Sequence, residues 1–220
     1  MRTFEPFDRI KIINLPERTD RRRGMDKELA KVGLLNDPRV SYFQAIRPSD
    51  AGAFTSVGAR GVYESQRAIL KEAACAGDSV LILEDDCFFV DGTQYREFST
   101  DWEIFYGGYT AHNPNCLQTS DIVGAHMMGF STRGAQLISA YFDDLTVEGI
   151  HPPIDGAYVW FRRQHPEIPT HFASPPLAGQ RSSRSDIAPL KWFDRNPATR
   201  GVVNFLRGLK RPGFSGGGLV

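Results

Sequence analysis

Apolar positions along the chain alternate between the spacing of a strand and that of a helix. Residues 9–15 (RIKIINL) form an apolar, β-rich run, and positions with helical spacing follow to about residue 32. The same order recurs with a strand at residues 40–46 and a helix at residues 60–76. The first third of the sequence therefore predicts two strand–helix units in succession.

Residues 79–83 (SVLIL) form a continuous apolar run, which is typical of a strand that is buried on both faces of a sheet. Glu84, Asp85 and Asp86 follow this run directly. Further strands are predicted at residues 102–106 and 122–130, and further helices at residues 132–142 and after Pro153. Strands that alternate with helices predict an α/β fold with a mostly parallel central sheet, whose ligands bind at the carboxyl ends of the strands.

Residues 107–121 form the longest stretch without a predicted element. They contain the pairs Gly107-Gly108 and Asn113-Pro114, which are typical of loops. Loops of this length in compact domains are often functional, so we predict a substrate loop here.

The composition is that of an ordinary folded protein, with 41% hydrophobic and 24% charged residues. The 26 basic residues balance the 26 acidic ones, so no overall field favours nucleic acid as a partner. Three cysteines without a CxxC pair argue against a disulfide framework and a zinc site. Without a signal peptide or an apolar run of about 18 residues, we expect a cytoplasmic protein with one domain over residues 1–194.

Residues 195–220 differ from the rest of the chain because they contain no acidic residue. Arginines and lysines alternate there with valine, leucine and phenylalanine before a glycine-rich tail. A basic amphipathic segment of this kind predicts peripheral contact with the inner membrane face. The alternative is an ordinary packed helix followed by a disordered end.

The three adjacent acids would repel one another strongly unless a cation or a basic side chain neutralised them. Oxygen ligands of this kind suit Mg²⁺ or Mn²⁺, which commonly retain water and bridge to substrate phosphates. The alternative is a strand that ends in a charged, solvated turn. The acids by themselves favour neither interpretation.

Six segments between about residues 10 and 190 resemble glycosyltransferase family 25, which includes bacterial lipopolysaccharide galactosyltransferases and collagen galactosyltransferases. They are INLPERTDRR (13–22), GARGVYES (58–65), LILEDD (81–86), GAHMMGFSTRGA (124–135), PID (153–155) and QRSSRSDI (180–187). No single segment is specific, but the ordered set is. The resemblance implies a GT-A fold, which is a Rossmann-like α/β sandwich that binds a nucleotide-sugar donor through an acidic motif and a divalent cation.

The resemblance also implies roles for individual residues. Asp86 is the first choice as ligand of Mn²⁺ or Mg²⁺, assisted by Glu84. The residues expected to bind the donor are Asn14, Leu15, Arg18, Ser65, Glu84, Asp85, Gln180 and Arg181. Of the three arginines at positions 21–23, we expect at least two to lie on a solvated helix face.

The segment around Ser65 departs from the family pattern. Family members often have histidine where this chain has Gln66, which can form hydrogen bonds but cannot titrate, so an acid or base role at this position is in doubt. The resemblance implies that the anomeric centre of the sugar is inverted. Inversion by direct displacement needs a base that removes the proton of the acceptor hydroxyl, and Asp155 is the candidate. Its alternative role is that of an N-cap for the helix that follows.

The resemblance implies an inverting transfer of a hexose, galactose being the family's commonest choice, from a UDP-sugar to a saccharide acceptor of a bacterial surface glycan. Two alternatives stay open. One is a catalytically lapsed protein that binds nucleotide sugars, which the substituted Gln66 segment would permit. The other is a metal-dependent phosphohydrolase or nucleotidyltransferase on a similar scaffold, since paired acids and a metal serve those reactions too.

Overall fold

The computed structural model describes residues 1–99 and 101–181 and has a six-stranded sheet at its centre. The strand order is β2-β1-β3-β6-β5-β7, and β4 and β8 form a separate two-stranded sheet. The strands are β1 (Arg9–Asn14), β2 (Val40–Gln44), β3 (Val80–Glu84), β4 (Cys87–Phe89), β5 (Ile104–Ala111), β6 (Ile122–Phe130), β7 (Thr170–Phe172) and β8 (Ala178–Gln180). The predicted tail at residues 195–220 lies outside the described residues.

The central sheet is mostly parallel. Strand β1 pairs in parallel with β2 and β3, and β5 pairs in parallel with β7. Strand β6 lies between β3 and β5 and is antiparallel to both. Five strands therefore run in one direction and β6 in the other, so the predicted α/β class with a mostly parallel sheet is confirmed.

Helices cover both faces of this sheet. They are α1 (Thr19–Lys31), α2 (Val57–Ala76), α3 (Thr132–Asp144) and α4 (Ile154–Gln164). One buried cluster joins Val80 and Ile82 of β3 to α2, α3 and α4, and a second joins Leu81 and Leu83 to α1. Strand β3 is thus buried on both faces, as its continuous apolar run predicts. None of the helices in the described part of the chain is long and apolar enough to cross a membrane.

Helix α2 begins about one turn earlier than predicted. The Oγ of Ser56 accepts a hydrogen bond from the backbone N–H of Ala59 at 3.1 Å, which caps the helix, so it starts at Val57. At the other end Gly77 adopts a left-handed conformation with φ of 73°, which ends the helix where predicted. This early start brings the first turn of α2 to the sheet edge where β1 and β3 end.

The predicted loop at residues 107–121 is wrong in its first part, because β5 continues to Ala111. Gly107 and Gly108 belong to this strand, and a Cβ on either would lie within 2.7 Å of the side chains of Met127 and His126. These glycines therefore permit close packing of β5 against β6 rather than marking a loop. A pair of glycines is typical of a loop. Here it is the close approach of the neighbouring strand β6 that requires glycine, and the local sequence does not show that approach.

The remainder of the predicted loop is held by Arg162 of α4, whose side chain is buried. Its guanidinium donates to the backbone carbonyls of Leu117, Gln118 and Ser120 at 3.2, 2.7 and 3.0 Å. The same group lies over the ring of Phe172 at 5.0 Å. Residues 112–121 thus form an ordered connection that is fastened to α4.

Candidate functional site

A cleft of about 240 Å³ opens where β1, β2 and β3 end. One part of its wall is apolar and comes from the ends of β1 and β2 and the first turns of α2; the other part is acidic and follows β3. The lining residues are Ile13, Leu15, Arg21, Ala45, Ile46, Arg47, Pro48, Val57, Gly58, Gly61, Val62, Ser65, Glu84, Asp85, Asp86 and Gln180. The cleft therefore joins a hydrophobic surface to a cluster of carboxylates.

Asp85 faces α1, and both of its carboxylate oxygens are bonded within the protein. Oδ2 accepts a hydrogen bond from Nδ2 of Asn14 at 2.7 Å, and Oδ1 accepts one from Nη1 of Arg21 at 2.8 Å. Asn14 and Asp85 are buried. A buried carboxylate with an amide and a guanidinium as donors is compensated in charge and in hydrogen bonds.

Glu84 and Asp86 are joined by Gln180 of β8. Its Nε2 donates to Oε2 of Glu84 at 3.0 Å and lies 3.2 and 3.3 Å from the two carboxylate oxygens of Asp86. Nη1 of Arg21 lies 3.6 Å from Oδ2 of Asp86. The predicted metal ligands are therefore close together, and each has a donor of this chain beside it.

The pKa values in this cluster are shifted upwards. Burial raises the pKa of Glu84 to about 8, and the charges of Asp86, Asp155 and Asp85 add to the shift. Burial also raises the pKa of Asp86, against the opposing effects of Arg21 and Gln180. Ionisation of these two carboxyl groups is therefore unfavourable in the protein alone, and a bound cation would favour their charged forms.

Arg181 holds the turn of residues 85–86, which connects β3 to β4. Its backbone N–H donates to the carbonyl of Asp86 at 2.8 Å, and its guanidinium donates to the carbonyls of Asp85 and Cys87, both at 3.2 Å. Gly24 of α1 lies against this guanidinium, since a Cβ there would be 2.6 Å from Nη1. Arg181, expected to bind the donor, is placed by these contacts to hold the turn, and it does not line the cleft.

Ser65 fastens the wall of the cleft. Its Oγ accepts a hydrogen bond from the N–H of Ile46 at 2.8 Å and donates to the carbonyl of Gly61 at 2.6 Å. Because Ser65 is fully buried, these bonds join the exit of β2 to α2. Next to it, Oε1 of Gln66 accepts from the hydroxyl of Tyr158 at 2.7 Å, which joins α2 to α4.

Asp155 lies in the first turn of α4, but it is not the N-cap, which is Pro153. Oδ2 accepts from the backbone N–H of Gly124 at 3.0 Å, and Oδ1 from that of Gly156 at 2.9 Å. Burial raises the pKa of Asp155, against the effect of these two N–H groups. Its charge acts on the pKa of Glu84, so it lies near the cluster.

The residues at the exit of β1 have separate positions. Leu15 lines the cleft, and the side chain of Asn14 supports Asp85. The guanidinium of Arg18 is bonded to the carboxylate of Asp20, with Nε and Nη2 each at 3.0 Å. Arg21 instead reaches the acids, with Nη1 at 2.8 Å from Oδ1 of Asp85. Which of the three adjacent arginines reaches them depends on how α1 is rotated against the sheet.

Among the described residues that line this cleft, Glu84 and Asp86 are the carboxylates that could take a cation, because both oxygens of Asp85 already accept hydrogen bonds. Within residues 1–99 and 101–181, no group of three or more His, Cys, Asp or Glu side chains is arranged to hold a metal ion. Glu84 and Asp86 could still hold Mg²⁺ or Mn²⁺ if water and substrate phosphate completed the coordination, as is common for these ions. The donor set, all oxygen, fits such an ion.

No protein-family model matches the sequence, and no curated protein matches it either. Among solved structures, a glycosyltransferase involved in the glycosylation of the major capsid of PBCV-1 is similar, with 13% identity, a TM-score of 0.49, and coverage of 80% of this chain and 94% of that chain. A protein described as a glucose-1-phosphate thymidylyltransferase from Bacillus anthracis, in complex with sucrose, has 11% identity, a TM-score of 0.42, and coverage of 74% and 67%. Similarities of this extent say nothing about activity.

Proposed function

We propose that this chain is a GT-A-type glycosyltransferase of family 25 that transfers a hexose from a UDP-sugar to a saccharide acceptor with inversion. Galactose is the first choice of sugar, and a bacterial surface glycan is the proposed acceptor. The observation that carries the proposal is the cleft itself, because a hydrophobic wall and a carboxylate cluster meet in it at the carboxyl ends of parallel strands.

The two parts of the cleft suit the two parts of a nucleotide diphosphate. A flat base would pack against Ala45, Pro48 and Val62, which are apolar lining residues. The diphosphate would then extend towards Glu84 and Asp86, where Arg21 also lines the cleft. A guanidinium beside a leaving diphosphate would stabilise the charge that develops on it.

A divalent cation, Mn²⁺ or Mg²⁺, would be held by Asp86 and Glu84. When bound, it would neutralise the diphosphate and improve it as a leaving group. The chain's own contribution is to keep the two carboxylates close together at the end of β3 and to leave Asp85 out of the coordination, since its oxygens are occupied by Asn14 and Arg21.

Asp155 is the proposed base. A base must be held firmly and must have a pKa close to the working pH. The N–H groups of Gly124 and Gly156 hold its carboxylate, and burial raises its pKa. Each carboxylate oxygen keeps a further lone pair that can accept the proton of an acceptor hydroxyl.

The proposed location of the protein is the cytoplasm, with peripheral contact to the inner membrane face through residues 195–220. There it would meet a lipid-linked saccharide acceptor. Deletion of the residues after Asn196 should then reduce co-sedimentation with anionic vesicles. Unchanged sedimentation would remove the membrane contact from the proposal.

Binding of UDP tests the proposed donor first, and turnover of UDP-sugars tests it second. UDP with Mn²⁺ should raise the thermal unfolding temperature of the protein, since a ligand that binds only the folded state stabilises it. A screen of UDP-sugars with Mn²⁺ should then show slow hydrolysis or transfer of one sugar. No protection by UDP would contradict the proposal, and protection without turnover of any UDP-sugar would favour the catalytically lapsed alternative. Hydrolysis of the nucleotide without release of sugar would favour a phosphohydrolase.

A further inference from the structure

Gln180 occupies the space between the two carboxylates that we assign to the cation. Its Nε2 is 3.0 Å from Oε2 of Glu84 and 3.2 Å from Oδ1 of Asp86. A carboxamide nitrogen carries two hydrogens, so it can donate one to each carboxylate. One uncharged donor of this chain thus bridges two acids that would otherwise repel each other.

The backbone holds Gln180 in this position while its side chain keeps some freedom. Strand β8 pairs with β4, Gln180 lies opposite Cys87, and the next residue is bonded to the carbonyl of Asp86. The residue is nevertheless exposed. Its side chain can therefore leave the two carboxylates by rotation about its own bonds, without a change in the sheet.

A divalent cation and this amide would use the same oxygen lone pairs. Mg²⁺, for example, binds carboxylate oxygens at about 2.0–2.1 Å, within the space that the two N–H groups fill. We propose that Gln180 is an internal substitute for the cation: its amide holds Glu84 and Asp86 together in the metal-free protein, and cation binding displaces it. This inference rests on the proposed function in one respect, the assignment of these two acids as cation ligands.

Binding of Mn²⁺ alone tests the proposal. The free Mn²⁺ signal in electron paramagnetic resonance would be titrated with the full chain, with Gln180→Ala and with Gln164→Ala. The last is a matched control, because Gln164 is an exposed glutamine at the end of α4. Gln180→Ala should bind Mn²⁺ about tenfold more tightly, or about 1.4 kcal/mol, because no hydrogen bonds to the acids have to be broken first. Gln164→Ala should match the unchanged protein.

Thermal unfolding gives a second measurement. Without divalent ions, Gln180→Ala should unfold at a lower temperature than the unchanged protein, because its carboxylates lack the bridging donor. Saturating Mn²⁺ should abolish this difference. A residue with only a structural role would lower the unfolding temperature equally with and without Mn²⁺ and would leave the affinity for Mn²⁺ unchanged.

Equal or weaker binding of Mn²⁺ by Gln180→Ala would overturn the proposal, and so would the absence of Mn²⁺ binding to both proteins. These measurements use no nucleotide sugar. Tighter Mn²⁺ binding by Gln180→Ala in a protein that turns over no UDP-sugar would therefore overturn the proposed transferase activity and leave the role of Gln180 intact.

Discussion

Nη1 of Arg21 lies 2.8 Å from Oδ1 of Asp85 and joins α1 to the end of β3. The two side chains are only 15% and 8% exposed, so this ion pair is mostly removed from water. The pair divides the acidic cluster into two parts. All three acids line the cleft, but Asp85 is neutralised by Arg21, whereas Glu84 and Asp86 have the uncharged Gln180 between them.

Replacement of Arg21 by methionine should destabilise the protein. Methionine keeps much of the side chain's length but leaves the Asp85 carboxylate buried without its cation, and breaking a buried pair on one side is strongly unfavourable. We expect the free energy of unfolding in urea to fall by about 3 kcal/mol. Arg23→Met, at an exposed position of the same helix, should change it by less than about 0.5 kcal/mol.

The double variant Arg21→Met, Asp85→Asn distinguishes the contribution of the ion pair to stability from that of side-chain packing. A neutral amide at position 85 needs no cation, so the double variant should be more stable than Arg21→Met alone. If both have the same free energy of unfolding, the loss comes from packing of the arginine side chain and the ion pair is not the cause.

The order of the elements could be predicted from the sequence because long, periodic segments determine it. The run at residues 79–83 placed three acids at the end of a buried strand, and β3 is that strand. The partner of each acid could not be predicted in the same way. Strand β3 ends at Glu84, so Asp85 and Asp86 lie in the turn that follows, where strand alternation does not set the direction of a side chain. The choice of Arg21 over its two neighbours depends on how α1 is rotated against the sheet.

The short strands escaped prediction for a different reason. Strands β4, β7 and β8 have three residues each, too few to show a period. Strand β8 nevertheless brings Gln180 to the acids, and its pairing with β4 is a long-range contact that no local pattern encodes. The expected proximity of Gln180 to the site came from the family resemblance rather than from the pattern of the segment.

The raised pKa of Glu84 predicts how stability depends on pH. The ordinary value is 4.5 and the folded value is about 8, so the folded protein retains a proton that the unfolded chain releases. This contribution to stability is complete below pH 4.5 and is lost as the pH rises through 8. The metal-free protein should therefore lose free energy of unfolding between pH 5 and 8.5, by at most about 1.4 kcal/mol per pH unit from this group.

Glu84→Gln should reduce this dependence, because glutamine does not titrate. Urea unfolding at several pH values would be compared with that of Glu148→Gln, which changes an exposed glutamate. Equal slopes for Glu84→Gln and the unchanged protein would show that Glu84 ionises in the fold as it does in the unfolded chain.

Removal of the Arg162 guanidinium should lower the stability of the protein and leave nucleotide binding unchanged. Arg162→Met removes the donor to three carbonyls of residues 117–120, and hydrogen bonds to a charged group contribute about 1.5–3 kcal/mol each. Because the carbonyls can partly turn to water, we expect a total loss of about 3 kcal/mol. Calorimetric titration should give the same Kd for UDP with Mn²⁺, since neither Arg162 nor these loop residues line the cleft. A weaker affinity for UDP would mean that the loop takes part in donor binding.

Asp155→Asn tests the proposed base. Asparagine has nearly the same shape but cannot take a proton from the acceptor hydroxyl, and general base catalysis typically contributes 10²–10⁴-fold. We expect kcat for sugar transfer to fall by about 10³-fold. The Kd for UDP with Mn²⁺ should stay within about twofold, because Asp155 does not line the donor cleft. One carboxamide oxygen can still accept a hydrogen bond from Gly124 or Gly156, so the variant should fold with a loss of about 1 kcal/mol.

Asp144→Asn, at an exposed position at the end of α3, controls for the removal of one negative charge. Transfer by Asp155→Asn at a rate close to that of this control would assign Asp155 to the attachment of α4 to β6 and remove it from the chemistry.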